Sequence, residues 1–180
     1  MPVEHLWATW RGEYVTGSPD DRRAGPAGEG TLFERILSAA DDGDDREAHV
    51  VARSERCFVL LNLFPYTSGH ALVLPKRAVR DLEELDGGAH DELWRLTRIT
   101  VVAQKLALGN PSANVGVNLG HAAGGSLAEH LHVHCVPRWV GDTNFTGAVG
   151  EVRMHSVSLE AAWDRLTGVW AEAEERCKDA

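Results

Sequence analysis

Cysteine is scarce in this sequence. Cys57, Cys135 and Cys177 are the only three, odd in number and far apart. Neither a disulfide framework nor a cysteine-based metal finger is implied, and reduced thiols in a cytoplasmic protein are the expectation. Long apolar runs are missing too. No segment approaches the ~20 apolar residues of a membrane-spanning helix. The opening MPVEHLWATWRGEY has no apolar signal core, so no membrane partner is expected and the cytoplasm is again indicated. Basic residues are outnumbered: 18 Lys and Arg stand against 27 Asp and Glu, for a net charge of −9. Such a surface repels nucleic-acid phosphates, so no nucleic-acid partner is expected. A small anionic ligand stays compatible, because one local site can be positive on an acidic protein. Internal repeats are absent, as are the HExxH and CxxC patterns that would indicate a metal.

The remaining composition is that of an ordinary globular protein. A chain of 180 residues, 43% hydrophobic and 25% charged, suits one domain over residues 1–180 with a substantial core. Residues 16–30, TGSPDDRRAGPAGEG, read as an exposed, flexible loop. Leu32, Phe33, Ile36 and Leu37 recur at helical spacing. The acidic run Asp41 to Glu47 reads as a solvated turn, since its spacing does not fit a calcium loop. Cys57 to Leu63 and Ala71 to Leu74 read as antiparallel strands joined by the turn residues FPYTSG. Asp81 is placed to cap a short helix through Leu85, which Gly87 and Gly88 break. A longer helix runs from about Ala89 to Leu108, stopped by Gly109-Asn110-Pro111. Val115, Val117 and Leu119 alternate as a third strand, and Glu129 to Val136 reads as a fourth. After Ser158, a plausible cap, Leu159, Ala162, Trp163, Leu166, Trp170 and Ala173 trace a C-terminal amphipathic helix. Strands and helices fall in blocks without βαβ alternation. The class is therefore α+β with an antiparallel sheet.

Chemistry concentrates in His130-Leu131-His132-Val133-His134. On a strand, side chains alternate faces, so the three histidines would share one face while Leu131, Val133 and Cys135 enter a core. An imidazole nitrogen attacks phosphorus well and forms a covalent intermediate. A neighbouring imidazole can donate to the developing charge. The Gly124-Gly125-Ser126 turn would offer backbone N–H groups to phosphate oxygens. Two other readings stand beside this one: a zinc or iron site using the three histidines with a distant ligand, and a half-solvated strand with no role.

The segment HLHVHCV resembles the signature of the histidine-triad (HIT) superfamily. The resemblance extends to GTLFERI at Gly30–Ile36 and to CFVLLNLFPYTSGHALVLPKRAV at Cys57–Val79. NVGVNLGHAAGGSLAEHLHVHCVPRWVGDTNF at Asn114–Phe145 is most similar to the bacterial diadenosine tetraphosphate phosphorylase branch. The resemblance implies a HIT fold: an antiparallel sheet with a long packed helix and a C-terminal helix. It implies a homodimer and His132 as nucleophile, with His130 and His134 organising the phosphates and leaving group. Asn62 would meet the ribose and His70 would support the triad. Asn118, Gly125 and Ser126 would line the phosphate path, and Leu32, Phe33 and Leu63 would wall the base pocket. Each has a plainer reading. Asn62 can satisfy turn backbone, His70 can be a hydrogen-bonded core histidine, and Leu32, Phe33 and Leu63 can be ordinary core. His121 and His155 read as surface residues.

The implied activity is nucleotidyl transfer or phosphorolysis of a nucleoside polyphosphate at its α-phosphate, an adenine nucleotide of the diadenosine tetraphosphate kind. Inorganic phosphate, or else water, would be the acceptor. A hydrolase or transferase acting on phosphoramidates, aminoacyl adenylates or adenylyl sulfate is the alternative, and a non-catalytic nucleotide-binding module is the alternative of another class. Many bacterial members carry Cys-x-x-Cys near Leu32-Phe33, where this chain reads Gly-Thr-Leu-Phe. No zinc and no required cofactor are therefore expected. Thr-Gly-Ala after Asn144-Phe145 also departs from the phosphorylase branch, on the leaving-group side.

Overall fold

The computed structural model describes residues 26, 28–42, 44–123, 127–142 and 156–178. Among them the chain forms α1 (Leu32–Asp42), β1 (Val50–Arg53), β2 (Cys57–Leu61), β3 (Ala71–Pro75), α2 (Gly87–Leu108), β4 (Ser112–Val117), β5 (Val133–Arg138) and α3 (Leu159–Lys178). The five strands make one antiparallel sheet in the order β1-β2-β3-β5-β4. This is the α+β class expected from the blocks of strand and helix signals.

β2 and β3 are buried at every position, as their unbroken apolar runs require. Their alternate side chains feed two cores. Cys57, Val59, Leu61, Ala71 and Val73 join a cluster with Leu93, Leu96, Ile99 and Ala103 of α2 and Ala162, Leu166 and Ala173 of α3. On the opposite face, Phe58, Leu60, Leu72 and Leu74 meet Phe33, Leu37 and Ala40 of α1. That second cluster takes no residue from β4 or β5. The face of α1 therefore ends beside β5, and this is where a site can open.

The helix ends follow local chemistry. Asp86 caps α2 by accepting from the Ala89 N–H at 2.9 Å. Gly109, at φ +66°, closes it by donating to the Lys105 carbonyl. Ser158 caps α3, its hydroxyl accepting from the Ala161 N–H at 3.2 Å. The cysteines are buried free thiols, and burial pushes Cys57 and Cys135 up to about 12.

Several boundaries differ from the sequence reading. Gly87 and Gly88 open α2 instead of breaking a preceding helix, because Asp86 supplies the cap just before them. Asp81 makes no side-chain cap, and only a single 3-10 turn, Leu82–Glu84, follows it. β1 was not anticipated. It is four residues long, and it forms because Val50 and Val51 bury against the sheet. β4 is an edge strand, so its apolar alternation is only partly buried: Val115 is 44% exposed and Leu119, just past its end, 39%, while Val117 packs against the α2–α3 core. β5 begins only at Val133, so His130 and His132 precede it. The alternation of faces nevertheless reaches back to Leu131, which is buried with Val133 and Cys135 in the α2–α3 core. No helix among the described residues is long and apolar enough to cross a membrane.

Candidate active site

His134 is the one triad histidine inside a strand. It sits between Leu72 of β3 and Gly116 of β4, on the face that carries α1. Gly116 leaves that side bare: a Cβ there would meet none of the described residues within 4 Å. Phe33, from the first turn of α1, closes the other side. Its ring centroid lies 5.5 Å from both His130 and His132. The His132 and His134 rings are 4.8 Å apart, edge to face.

The hydrogen bonds fix which ring nitrogens carry protons. The Tyr66 N–H can only donate, and it points at His70 Nδ1 at 3.1 Å. Neutral His70 therefore carries its proton on Nε2, which donates to His134 Nδ1 at 3.0 Å. His134 is thus left with its own proton on Nε2, 3.5 Å from Asn118 Nδ2; two N–H groups cannot pair, so a bond there needs the Asn118 amide turned to present Oδ1. His132 has the opposite arrangement. The His130 carbonyl can only accept, so His132 Nδ1, at 2.8 Å, donates to it. His132 Nε2 is left as a lone pair. His130 donates from Nε2 to the Pro75 carbonyl at 2.8 Å, and its Nδ1 accepts from the Thr31 hydroxyl at 2.8 Å.

Electrostatics agree with neutral rings. Burial holds His130 and His132 below the usual histidine range. Burial, and then the nearby His132, push His134 down to about 4. At neutral pH the site thus presents a nucleophilic lone pair on His132 beside an N–H donor on His134.

The metal reading fares poorly on geometry. Both His130 nitrogens and His134 Nδ1 are engaged within the protein. Among the described residues no group of three or more His, Cys, Asp or Glu side chains is arranged to hold an ion.

The HIT domain model matches residues 44–140. The chain is also 38% identical to the AP-4-A phosphorylase of Mycobacterium tuberculosis over 173 residues, covering 94% of this chain and 85% of that protein. The chain belongs to the HIT domain family. A bis(5'-adenosyl)-triphosphatase of Dictyostelium discoideum is 33% identical over 94 residues, covering 52% of this chain and 62% of that protein. In fold, this HIT protein is similar to the crystal structure of a zinc-bound histidine triad family protein from Mycobacterium smegmatis. The TM-score is 0.61 at 24% identity, covering 78% of this chain and 94% of that one.

Most of the residues singled out in this HIT chain do come together. His130, His132, His134, His70, Phe33 and Asn118 form one connected cluster. Asn62 joins through His70, with its Nδ2 3.3 Å from Nδ1. Its Oδ1 accepts from the Phe64 N–H at 2.9 Å, so the turn-satisfying reading also holds. Phe33 is both a wall of the site and a member of the second core. Leu32 is half-buried, while Leu63 is 61% exposed and is no core residue. His130 is 1% exposed with both nitrogens engaged, so it reaches the open face only through His132. His121 is exposed. Gly125, Ser126, His155 and Asn144-Phe145 lie outside the described residues, as does most of the 16–30 segment.

Three contributors escaped the sequence reading. Tyr66 supplies the N–H that sets the His70 tautomer, and its ring lies 4.7 Å from that of His70. Nothing in its local sequence marks it. Thr31 and Glu34 hold His130, and they do carry a signal: T-x-x-E before an apolar run is the spacing of a capping box.

Proposed function

We propose that this HIT protein cleaves a nucleoside polyphosphate of the diadenosine tetraphosphate kind at its α-phosphate, through a nucleotidyl intermediate on His132. The observation that carries this reading is the pair of opposite tautomers, a lone pair on His132 Nε2 beside the N–H of His134 Nε2. In the first step, His132 Nε2 forms a bond to the α-phosphorus as the bond to the bridging oxygen breaks. The electron pair leaves with that oxygen. A phosphate leaving group departs as an anion, so it needs hydrogen bonding from His134 and no proton. Charge gathering on the His132 ring is stabilised by its Nδ1–H on the His130 carbonyl. In the second step, an oxygen of inorganic phosphate attacks the same phosphorus. The P–N bond breaks and its electron pair returns to Nε2. Diadenosine tetraphosphate and phosphate thus become ATP and ADP.

In this reading Asn62 meets the ribose and His70 orients His134. Asn118, Gly125 and Ser126 line the phosphates, and Leu32, Phe33 and Leu63 border the base. No cofactor or metal is needed, and the enzyme acts as a cytoplasmic homodimer. The named activity of the M. tuberculosis relative supports phosphate as acceptor. The named activity of the D. discoideum relative favours water as the second possibility.

The test is turnover of diadenosine tetraphosphate, with and without phosphate, resolved by anion exchange. Phosphate-dependent ADP plus ATP is expected, falling by on the order of 10³-fold or more in His132→Ala. Phosphate-independent AMP release would make the protein a hydrolase. Tight nucleotide binding without turnover would make it a binding module.

A further inference from the structure

The first turn of α1 does more than start a helix. Thr31 and Glu34 form a reciprocal box. The Thr31 N–H donates to Glu34 Oε2 at 2.9 Å, and the Glu34 N–H lies 3.4 Å from Thr31 Oγ1. Two further contacts reach beyond the helix. Glu34 Oε1 accepts from the Ala78 N–H at 3.0 Å, and Thr31 Oγ1 lies 2.8 Å from His130 Nδ1.

We infer that Thr31 and Glu34 are positioning residues for the His132 imidazole, acting through His130. This rests on the reading of His132 as nucleophile. His130 is not held by the sheet. It precedes β5, so no strand ladder fixes it. Its ring is held by the Pro75 carbonyl on one side and Thr31 on the other. The Leu131 N–H donates to the Val79 carbonyl at 2.7 Å. Segment 75–79 thus anchors residues 130 and 131, and Glu34 pins that segment at Ala78. The His130 carbonyl so placed receives His132 Nδ1–H, which keeps the lone pair on Nε2.

The Thr31 hydroxyl has one proton and two acceptors in reach, His130 Nδ1 at 2.8 Å and Glu34 Oε2 at 3.0 Å. With His130 neutral, the proton goes to Nδ1. If Nδ1 is protonated, it donates to Oγ1 and the hydroxyl turns to the carboxylate. The charged groups acting on His130 are Glu34 from α1 and Glu129 from the turn before β5, with His132 opposing them. Glu34 is therefore a counter-charge one hydroxyl away from the triad.

The experiment compares Thr31→Ser, Thr31→Val and Glu34→Gln in the full chain. It reads kcat and KM across the imidazole titration range, together with ¹⁵N imidazole NMR of the free protein. Thr31→Ser should stay within about twofold of wild type. Thr31→Val should lose about tenfold in kcat with KM changed by less than about twofold. Glu34→Gln should move the acid limb of the kcat profile. The NMR should show His132 with its proton on Nδ1 in wild type and Thr31→Ser, and mixed tautomers in Thr31→Val. Equal kcat losses for Ser and Val, or a His132 tautomer unchanged in both Thr31→Val and Glu34→Gln, would overturn the inference. If wild type turns over no nucleotide, the proposed function fails, while the tautomer comparison still decides the role of Thr31 and Glu34. Should Thr31→Val fail to fold, Glu34→Gln carries the same reading.

Discussion

His132 differs from His134 in what meets its Nδ1: a carbonyl in one case, a donating imidazole in the other. That single difference gives two like residues unlike chemistry. It also has a consequence for stability. His134 titrates at 6.5 when unperturbed and at about 4 in the fold, chiefly because burial penalises its charged form. As pH falls between those values, the unfolded chain takes up a proton at this site that the folded chain refuses. Acid therefore destabilises the fold through this window, and the effect is absent above it. Urea unfolding at mildly acidic and neutral pH should show the drop, and His134→Gln should flatten it. An equal pH slope in the variant would shift the cause to the other buried imidazoles.

At the scale of elements, α2 supports the site from the far side of the sheet. Continuing the β3–β5 register from Ala71↔Cys135 brings Gly69 opposite Pro137, which has no N–H to offer. Gln104 makes good the loss. It is fully buried, and its Nε2 donates to the Gly69 and Cys135 carbonyls at 3.0 and 2.9 Å. Those carbonyls neighbour His70 and His134 in sequence. Gln104→Leu should cost about 1–3 kcal/mol in thermal or urea unfolding, as two buried carbonyls lose a donor. Gly69→Ala should cost about 2 kcal/mol or more, because φ is +75° and a Cβ would collide with Leu108. Periodicity disclosed α2 and α3 with their buried faces, since amphipathic runs report burial directly. It missed β1, a strand of four residues that only its neighbour stabilises. It also extended β5 back over His130, because alternation of faces persists in extended chain that pairs with no strand.

At the scale of the whole molecule, the net charge of −9 coexists with a site of neutral imidazoles. In the proposed function, anion recognition would depend on oriented N–H donors more than on bulk charge. β4 is the sheet's edge beside the site, and Val115 and Leu119 on or just after it are exposed. An exposed strand edge is a ready template for pairing with another chain, which suits the proposed homodimer. Sedimentation velocity should give twice the 19.6 kDa chain mass. A monomer at assay concentrations that still turns over nucleotide would discard the dimer and leave the chemistry intact.

The α+β class, the two long helices and the three clustered histidines were legible in the amino-acid order, because these depend on local periodicity and short-range spacing. That order also set Asn62 and His70 on either side of the turn residues FPYTSG that join β2 to β3. Which nitrogen of each ring carries the proton emerged from the folded arrangement. That choice depends on a backbone N–H at Tyr66, carbonyls at Pro75 and His130, and a hydroxyl at Thr31. Every residue has backbone donors and acceptors, so sequence carries no mark of the ones a fold will aim at an imidazole.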